Sequence, residues 1–149
     1  MKMNGSYVFQ TSCKHVFSAL INPLYLQKAI PGCEAVWYTT EHGHMKARLV
    51  TPIPGLEGPY DVTITILESE EPYKMVLQAG RSGRIGGKIN TITHIALSDT
   101  VEETLLTYET VAELEGPIAV ANNPLFQKMA KHSLKTFFKN LNTALITPS

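Results

Sequence analysis

Cysteine is almost missing from this sequence: among 149 residues there are only Cys13 and Cys33. Two thiols are too few for a disulfide framework and lack the spacing of a metal site, which fits a reducing compartment and makes cytoplasm the expected location. Net charge is missing as well, since 13 basic and 13 acidic side chains cancel. No global field therefore draws the chain to nucleic acid or to an anionic membrane, and any charged partner must be met locally. No run approaches the roughly 18 to 20 apolar residues of a membrane span, and the opening Met1-Lys2-Met3-Asn4-Gly5 has no apolar signal region. The expectation is a protein neither secreted nor held in a membrane by a helix of its own. Internal repeats, low-complexity tracts and linkers are also absent, so residues 1–149 are expected to form one domain. A domain of that length buries roughly 70% of its unfolded surface, enough for a core and a cavity together.

What is present is periodicity. Residues 3–11 alternate, with Met3, Gly5, Tyr7 and Phe9 on one side, which predicts a half-buried strand. Ser12 is a helix cap ahead of Val16, Phe17 and Leu20, and Asn22 followed by Pro23 is a second cap with a first-turn proline, so two short helices fill residues 12–30. Alternation resumes over 33–41 and 44–52 around a turn at His42 and Gly43. It continues over 60–68, 73–81, 88–98 and 103–114, broken by Glu70 to Pro72, by the glycines from Gly80 to Gly87, and by Ser98 to Thr100. At Asn122 or Asn123, with Pro124, the period changes. Phe126, Ala130, Leu134, Phe137, Phe138, Leu141 and Leu145 recur at three and four, one helix of about six turns. The predicted class is α+β: a seven-stranded curved antiparallel sheet, two short helices after strand 1, and one long C-terminal helix laid across the sheet's apolar face.

Several stretches, taken in order, resemble one family. They are the Met3-Asn4-Gly5 strand, the helix from Val16 to Leu20 leading to Ile30-Pro31-Gly32-Cys33-Glu34, the segment Gly58-Pro59-Tyr60, and Gly86-Gly87 before a strand. Leu106-Thr107-Tyr108, Gly116-Pro117-Ile118-Ala119, and Met129-Ala130 through Phe137-Phe138 complete the set. Over nearly its whole length the chain resembles the G subunit of carbon monoxide dehydrogenase, a family of the START-like, helix-grip superfamily that includes polyketide cyclases and lipid transporters. The resemblance implies a hydrophobic cavity between sheet and long helix. It also implies noncatalytic binding of a lipid-like small molecule such as a quinone, in the service of molybdenum hydroxylase subunits of the carbon monoxide dehydrogenase type. Many relatives continue through a linker into a membrane-anchoring tail, whereas this sequence stops at Thr147-Pro148-Ser149, so stable anchoring through its own tail is not expected. Two other roles stay open on the same resemblance: a small cyclase-like or hydrolase-like enzyme using polar cavity residues, and an assembly factor for a molybdenum hydroxylase.

The residues themselves favour binding over catalysis. The histidines His15, His42, His44, His94 and His132 are scattered. His42 and His44 share a turn, but no Cys, Asp or Glu beside them completes a metal site, and a solvated turn is the simpler reading. His132, near Lys128 and Lys135, reads as surface. His94 faces either the cavity or the solvent, since parity allows both. Tyr108 either offers a hydroxyl that orients a ligand carbonyl or is an ordinary half-buried strand tyrosine. Trp37 and Tyr38 are neighbours, so one of them points away from the other's face. Gly80, Gly83, Gly86 and Gly87 with Arg81 and Arg84 suggest a phosphate cradle, but a strand follows them where a helix is required. The proline-rich loop from Pro52 to Pro59 is placed like a gate. Lys128, Lys131, Lys135 and Lys139 form a stripe on the last helix: a solvated face, or a strip for peripheral contact with lipid headgroups. No catalytic residue, metal or cofactor is assigned. Parity and period give the candidate ligand-binding residues Met45, Leu49, Ile64, Ile66, Met75, Leu77, His94, Leu106, Tyr108, Met129, Ser133 and Phe137, with Ala47 and Val62 on the same faces.

Overall fold

A computed structural model describes residues 1–40, 43–50, 59–82, 88–115 and 124–147. The element order is β1 (Lys2–Phe9), α1 (Cys13–Leu20), α2 (Pro23–Ala29), β2 (Cys33–Tyr38), β3 (His44–Leu49), β4 (Tyr60–Glu70), β5 (Lys74–Ser82), β6 (Lys88–Asp99), β7 (Thr104–Glu115) and α3 (Pro124–Ile146). This is the predicted architecture. The seven strands form one antiparallel sheet in the order β1-β7-β6-β5-β4-β3-β2. From β2 to β7 the chain meanders, and β1 then closes the far edge beside β7, so α1 and α2 must carry the chain from one edge to the other.

Local chemistry accounts for the helix starts. The Ser12 side chain accepts a hydrogen bond from His15 N at 3.4 Å and Asn22 Oδ1 accepts one from Leu24 N at 3.0 Å, each satisfying an N–H that the first helical turn leaves without a backbone partner. Pro23 occupies the first turn of α2, where its missing N–H costs nothing. The cap expected at Asn122 or Asn123 lies outside the described residues, as do His42, the loop residues Pro52 to Gly58, and Gly83 to Gly87.

Strand ends shift by a few residues from the sequence reading, and the largest shift has a cause. β4 runs to Glu70 because a bulge between Ile66 and Glu68 sets Leu67 out of register and resets the alternation beyond it. A second irregularity falls between Cys33 and Ala35 in β2. Bulges increase local twist, and together with the inherent coil of the sheet they bend it around the helices. At Gly80 an added Cβ would stand 2.9 Å from Ile89 O, so only glycine lets β5 come this close to β6.

The core lies at one end of the cup. Phe9, Val16, Leu106 and Leu141 are fully buried there, with Met75, Leu20 and Phe138 around them. Each such side chain contributes roughly 1.5 to 3 kcal/mol of burial. Phe138 on α3 makes ring contacts with Tyr7, Phe9 and Tyr108 at 5.9, 6.1 and 5.4 Å between centroids. Polar latches fix the same half of α3: Asn140 Nδ2 donates to Ala29 O at 3.1 Å, and Gln10 N donates to Asn142 Oδ1 at 3.0 Å. A 23-residue helix is about 34 Å long, and these contacts secure its C-terminal half.

Candidate functional site

Strand register decides which side chains face α3. Met45 pairs with Ile64, Ile64 with Ala79, Ala79 with Thr91, and Thr91 with Ala112, which makes one row across the inner face. The next row runs Ile66, Leu77, Thr93, Thr110. Of the twelve candidate residues, Met75 and Leu106 are fully buried in the packed end, and Met45 is fully buried in a smaller cluster with Leu26, Val36 and Ala47. Leu49, Ile64, Ile66 and Leu77 are half-buried on the inner face, and Met129, Ser133 and Phe137 are half-buried on α3. Phe137 packs against both buried clusters and so bridges the sheet's two halves. The inner wall therefore grades from a sealed end to an apolar band that keeps some solvent access.

His94 belongs elsewhere. It is exposed, and it pairs across the sheet with Val76 and Glu109 while its neighbour Ile95 pairs with Tyr108. His94 and Tyr108 therefore project from opposite faces and cannot serve one site. His94 instead borders an open groove of about 1130 Å³ on the outer face, shared with Asn4, Ser6, Glu68 and Lys74. A second outer concavity, about 580 Å³, lies toward the other end of the strands beside Lys46, Thr63 and Asn90. Both are polar hollows formed by the twist of the sheet, on the side away from α3.

Tyr108 is 8% exposed and stands on the inner face directly across from Gly5. Its ring lies over that glycine and against Phe138. Among the described residues its hydroxyl has no hydrogen-bond partner, and burial pushes its phenol pKa above the ordinary value of 10.0. The neutral O–H is thus the stable form, a donor set in an apolar wall. Hydroxyls further along are engaged: Thr91 Oγ1 donates to Ala79 O at 3.1 Å, and the Thr93 and Thr110 hydroxyls share a 3.0 Å bond.

Sequence reasoning weighed Arg81 only as part of a possible phosphate cradle and did not place it on the inner face. It continues the alternation Met75, Leu77, Ala79, Arg81, which puts it on the inner face opposite Ile89, and its Nε is buried. The signal was in the alternation of the strand over 73–81, but the glycine run that begins at Gly80 tied the residue to the turn that follows.

Other candidates resolve simply. Trp37 pairs with Lys46 on the outer face, where the Arg48 guanidinium lies 5.8 Å from its ring centroid and Arg48 Nε bonds Asp61 at 3.1 Å. Tyr38 is exposed at the β2 edge and donates to Ile21 O at 3.4 Å. His44 Nδ1 lies 3.3 Å from the Thr65 hydroxyl. His132 and the lysines Lys128, Lys131, Lys135 and Lys139 are exposed on α3. Both cysteines are free thiols, Cys13 buried and Cys33 half-buried. Among the described residues no group of three or more His, Cys, Asp or Glu is placed to hold a metal ion, and no helix is long and apolar enough to cross a membrane.

Comparison with known proteins agrees with this geometry. A conserved protein from Geobacillus kaustophilus is 29% identical, with 97% of this chain and 95% of that one covered at a TM-score of 0.88. A START superfamily protein from Mycobacterium smegmatis is 12% identical, with 97% and 96% covered and a TM-score of 0.71. A protein from Thermus thermophilus, 13% identical with 98% and 97% covered, has a TM-score of 0.72. The last two likenesses are of fold alone. No curated protein matches the chain. Residues 5–146 match the family described as the G subunit of carbon monoxide dehydrogenase (CoxG), and the chain belongs to that family, with its START-like, helix-grip fold.

Proposed function

We propose that the protein binds and carries a hydrophobic, lipid-like small molecule between the sheet and α3, without catalysis. The observation that carries this reading is that Leu49, Ile64, Ile66 and Leu77 on the inner face, and Met129, Ser133 and Phe137 on α3, are only half-buried beside a sealed core. Apolar side chains that stay half-buried inside a cup, beside a fully sealed core, are what a ligand-lined wall looks like when the ligand is small and apolar. Membership in the CoxG family supports the carrier role and a general association with a carbon monoxide dehydrogenase-type system.

The finer reading is a quinone as cargo and a molybdenum hydroxylase as partner. A quinone joins a flat apolar ring and tail to carbonyl oxygens, and the Tyr108 hydroxyl is a donor suited to such an oxygen. The exposed stripe of Lys128, Lys131, Lys135 and Lys139 would give brief contact with anionic headgroups, each lysine contributing roughly 1 kcal/mol, which suits a carrier that must load at a membrane and leave it. The free thiols are in keeping with action in a reducing compartment such as the cytoplasm.

The test is thermal unfolding of the purified protein with a panel of quinones and fatty acids. A ligand present at 100 times its Kd stabilises the native state by about 2.7 kcal/mol, so a rise in Tm with at least one is expected. No stabilisation by any of them sinks the reading.

A further inference from the structure

We propose that Arg81 is a specificity-determining residue of the inner wall, which holds the oxygen-bearing head of the cargo while the apolar remainder runs inward along Ala79, Leu77 and Ile66. The inference rests on the carrier reading and adds polarity to it. The cargo is an amphiphile with hydrogen-bond-accepting oxygens at one end, not a hydrocarbon.

Register fixes the placement. β5 and β6 pair without a shift from Lys74↔Ala96 to Ser82↔Lys88, so the inward parity that buries Met75 continues to Arg81. Arg81 faces the same side as Ile89, which in turn pairs with Leu114. It lies six positions beyond Met75, about 20 Å along the strand. It therefore stands in the last inward row, where β5 and β7 end and β6 begins, far from the sealed core. Its Nε is buried although the residue as a whole is half-buried, so the guanidinium is drawn in from bulk water without leaving it entirely.

Charge sorts sharply between the faces. Asp61, Glu68, Glu70, Glu109, Glu113 and Glu115 are paired in register with Arg48, Val76, Lys74, His94, Asn90 and Lys88, all on the outer parity. Among the described residues of β4 to β7, the inner parity carries one charge besides Arg81, Asp99 at the opposite end of β6, which accepts from Cys13 N at 3.3 Å. The described neighbours of Arg81 in register, Ile89 and then Leu114, are apolar, and the Thr91 hydroxyl further along β6 is already engaged by Ala79 O. A guanidinium keeps its charge at every working pH and carries five N–H donors in a rigid fork, so it can keep a partner within the protein and still present donors to a ligand. Hydrogen bonds from a charged donor are roughly twice as strong as neutral ones, and a partly dry wall strengthens them further. A head group held there remains near water, while the tail meets the drier end.

The shared chemistry is an acceptor oxygen, which a neutral quinone or an anionic fatty acid both supply. Three probes separate the cases: a ubiquinone with a two-isoprene tail, palmitate, and squalene, which has no oxygen. Binding is read by native mass spectrometry on the wild-type chain, R81M and R81K. Wild type should prefer an oxygenated probe over squalene, and R81M should weaken that probe roughly tenfold, the loss expected for one charge-assisted hydrogen bond. Unchanged squalene binding shows that the pocket is intact. A larger loss on palmitate assigns an anionic head, and a larger loss on the quinone assigns a neutral one. If R81M does not fold, R81K, which keeps charge but loses the fork, should still weaken the oxygenated probe relative to squalene. Equal affinities of wild type and the folded variants for all three probes would overturn the role of Arg81 and leave the carrier reading standing. Failure of wild type to bind any probe overturns both.

Discussion

Tyr108 lies so closely over Gly5 that a methyl group on the glycine would stand 2.7 Å from the phenolic oxygen and 2.9 Å from two ring carbons. The ring cannot simply move aside, because Phe138 packs against it at 5.4 Å between centroids. Gly5→Ala is therefore expected to destabilise the fold by about 1 to 3 kcal/mol, the usual cost of overpacking. Urea titration checks it. In the double variant with Tyr108→Ala the clash has no second partner, so the two effects should be clearly less than additive.

Alkaline stability follows from three acids that the fold shields from water, two of them buried and Cys33 half-buried. Burial raises the pKa of the Cys13 thiol, helped by its hydrogen bond to Asp99, and burial likewise raises Cys33 and Tyr108. The folded chain thus holds these protons more tightly than the unfolded chain, whose values stay near 9.0 for the thiols and 10.0 for the phenol. A raised folded pKa contributes stability that is complete below the unfolded value and is lost as pH rises through the folded one. Urea midpoints should hold steady to about pH 8 and fall from about pH 9 upward. Tyr108→Phe should make the decline above about pH 10 shallower, and an identical decline would show that Tyr108 titrates as it does in the unfolded chain.

Filling the half-buried band should separate folding from binding. Ile64 stands next to Met45 in the row from Met45 to Ala112 and packs beside the smaller buried cluster. Ile64→Trp would occupy space proposed for the ligand, with the far-UV spectrum of a folded chain and at most the modest cost of overpacking. The quinone or lipid that raises the wild-type Tm should then raise it little or not at all. Full retention of the shift would place the ligand elsewhere, for instance in the outer groove beside His94.

Much of this structure was legible in local patterns, and the misses have physical reasons. Ser12 and Asn22 announced their helices because a cap is a short-range hydrogen bond that neighbours alone determine. The change of period in the last segment gave α3, since a long apolar stripe has few other uses. His94 could not be oriented from parity, because β6 carries apolar residues on both faces: Ile89 and Ile95 inward, Ile92 and Ala96 outward. An outer face hollowed by twist shelters part of its own side, so apolar residues are tolerated there and the alternation weakens. Arg81 was lost for a different reason. A glycine beside it reads as a turn, whereas here Gly80 serves a close approach of β5 to β6 within a continuous strand pair. The end of β4 was set by the bulge at Ile66, whose register depends on β5 and is not written in β4 itself.

Whether the space between sheet and α3 carries an apolar cargo is tested most directly by mass spectrometry of the protein purified gently from its native source without detergent. The protein is measured first intact and then after denaturation to release bound small molecules. A stoichiometric apolar species with an oxygen-bearing head is expected, present in the wild-type chain and depleted in Ile64→Trp. Native chain that carries no small molecule, and that takes up none when offered quinones or lipids, would contradict the carrier role.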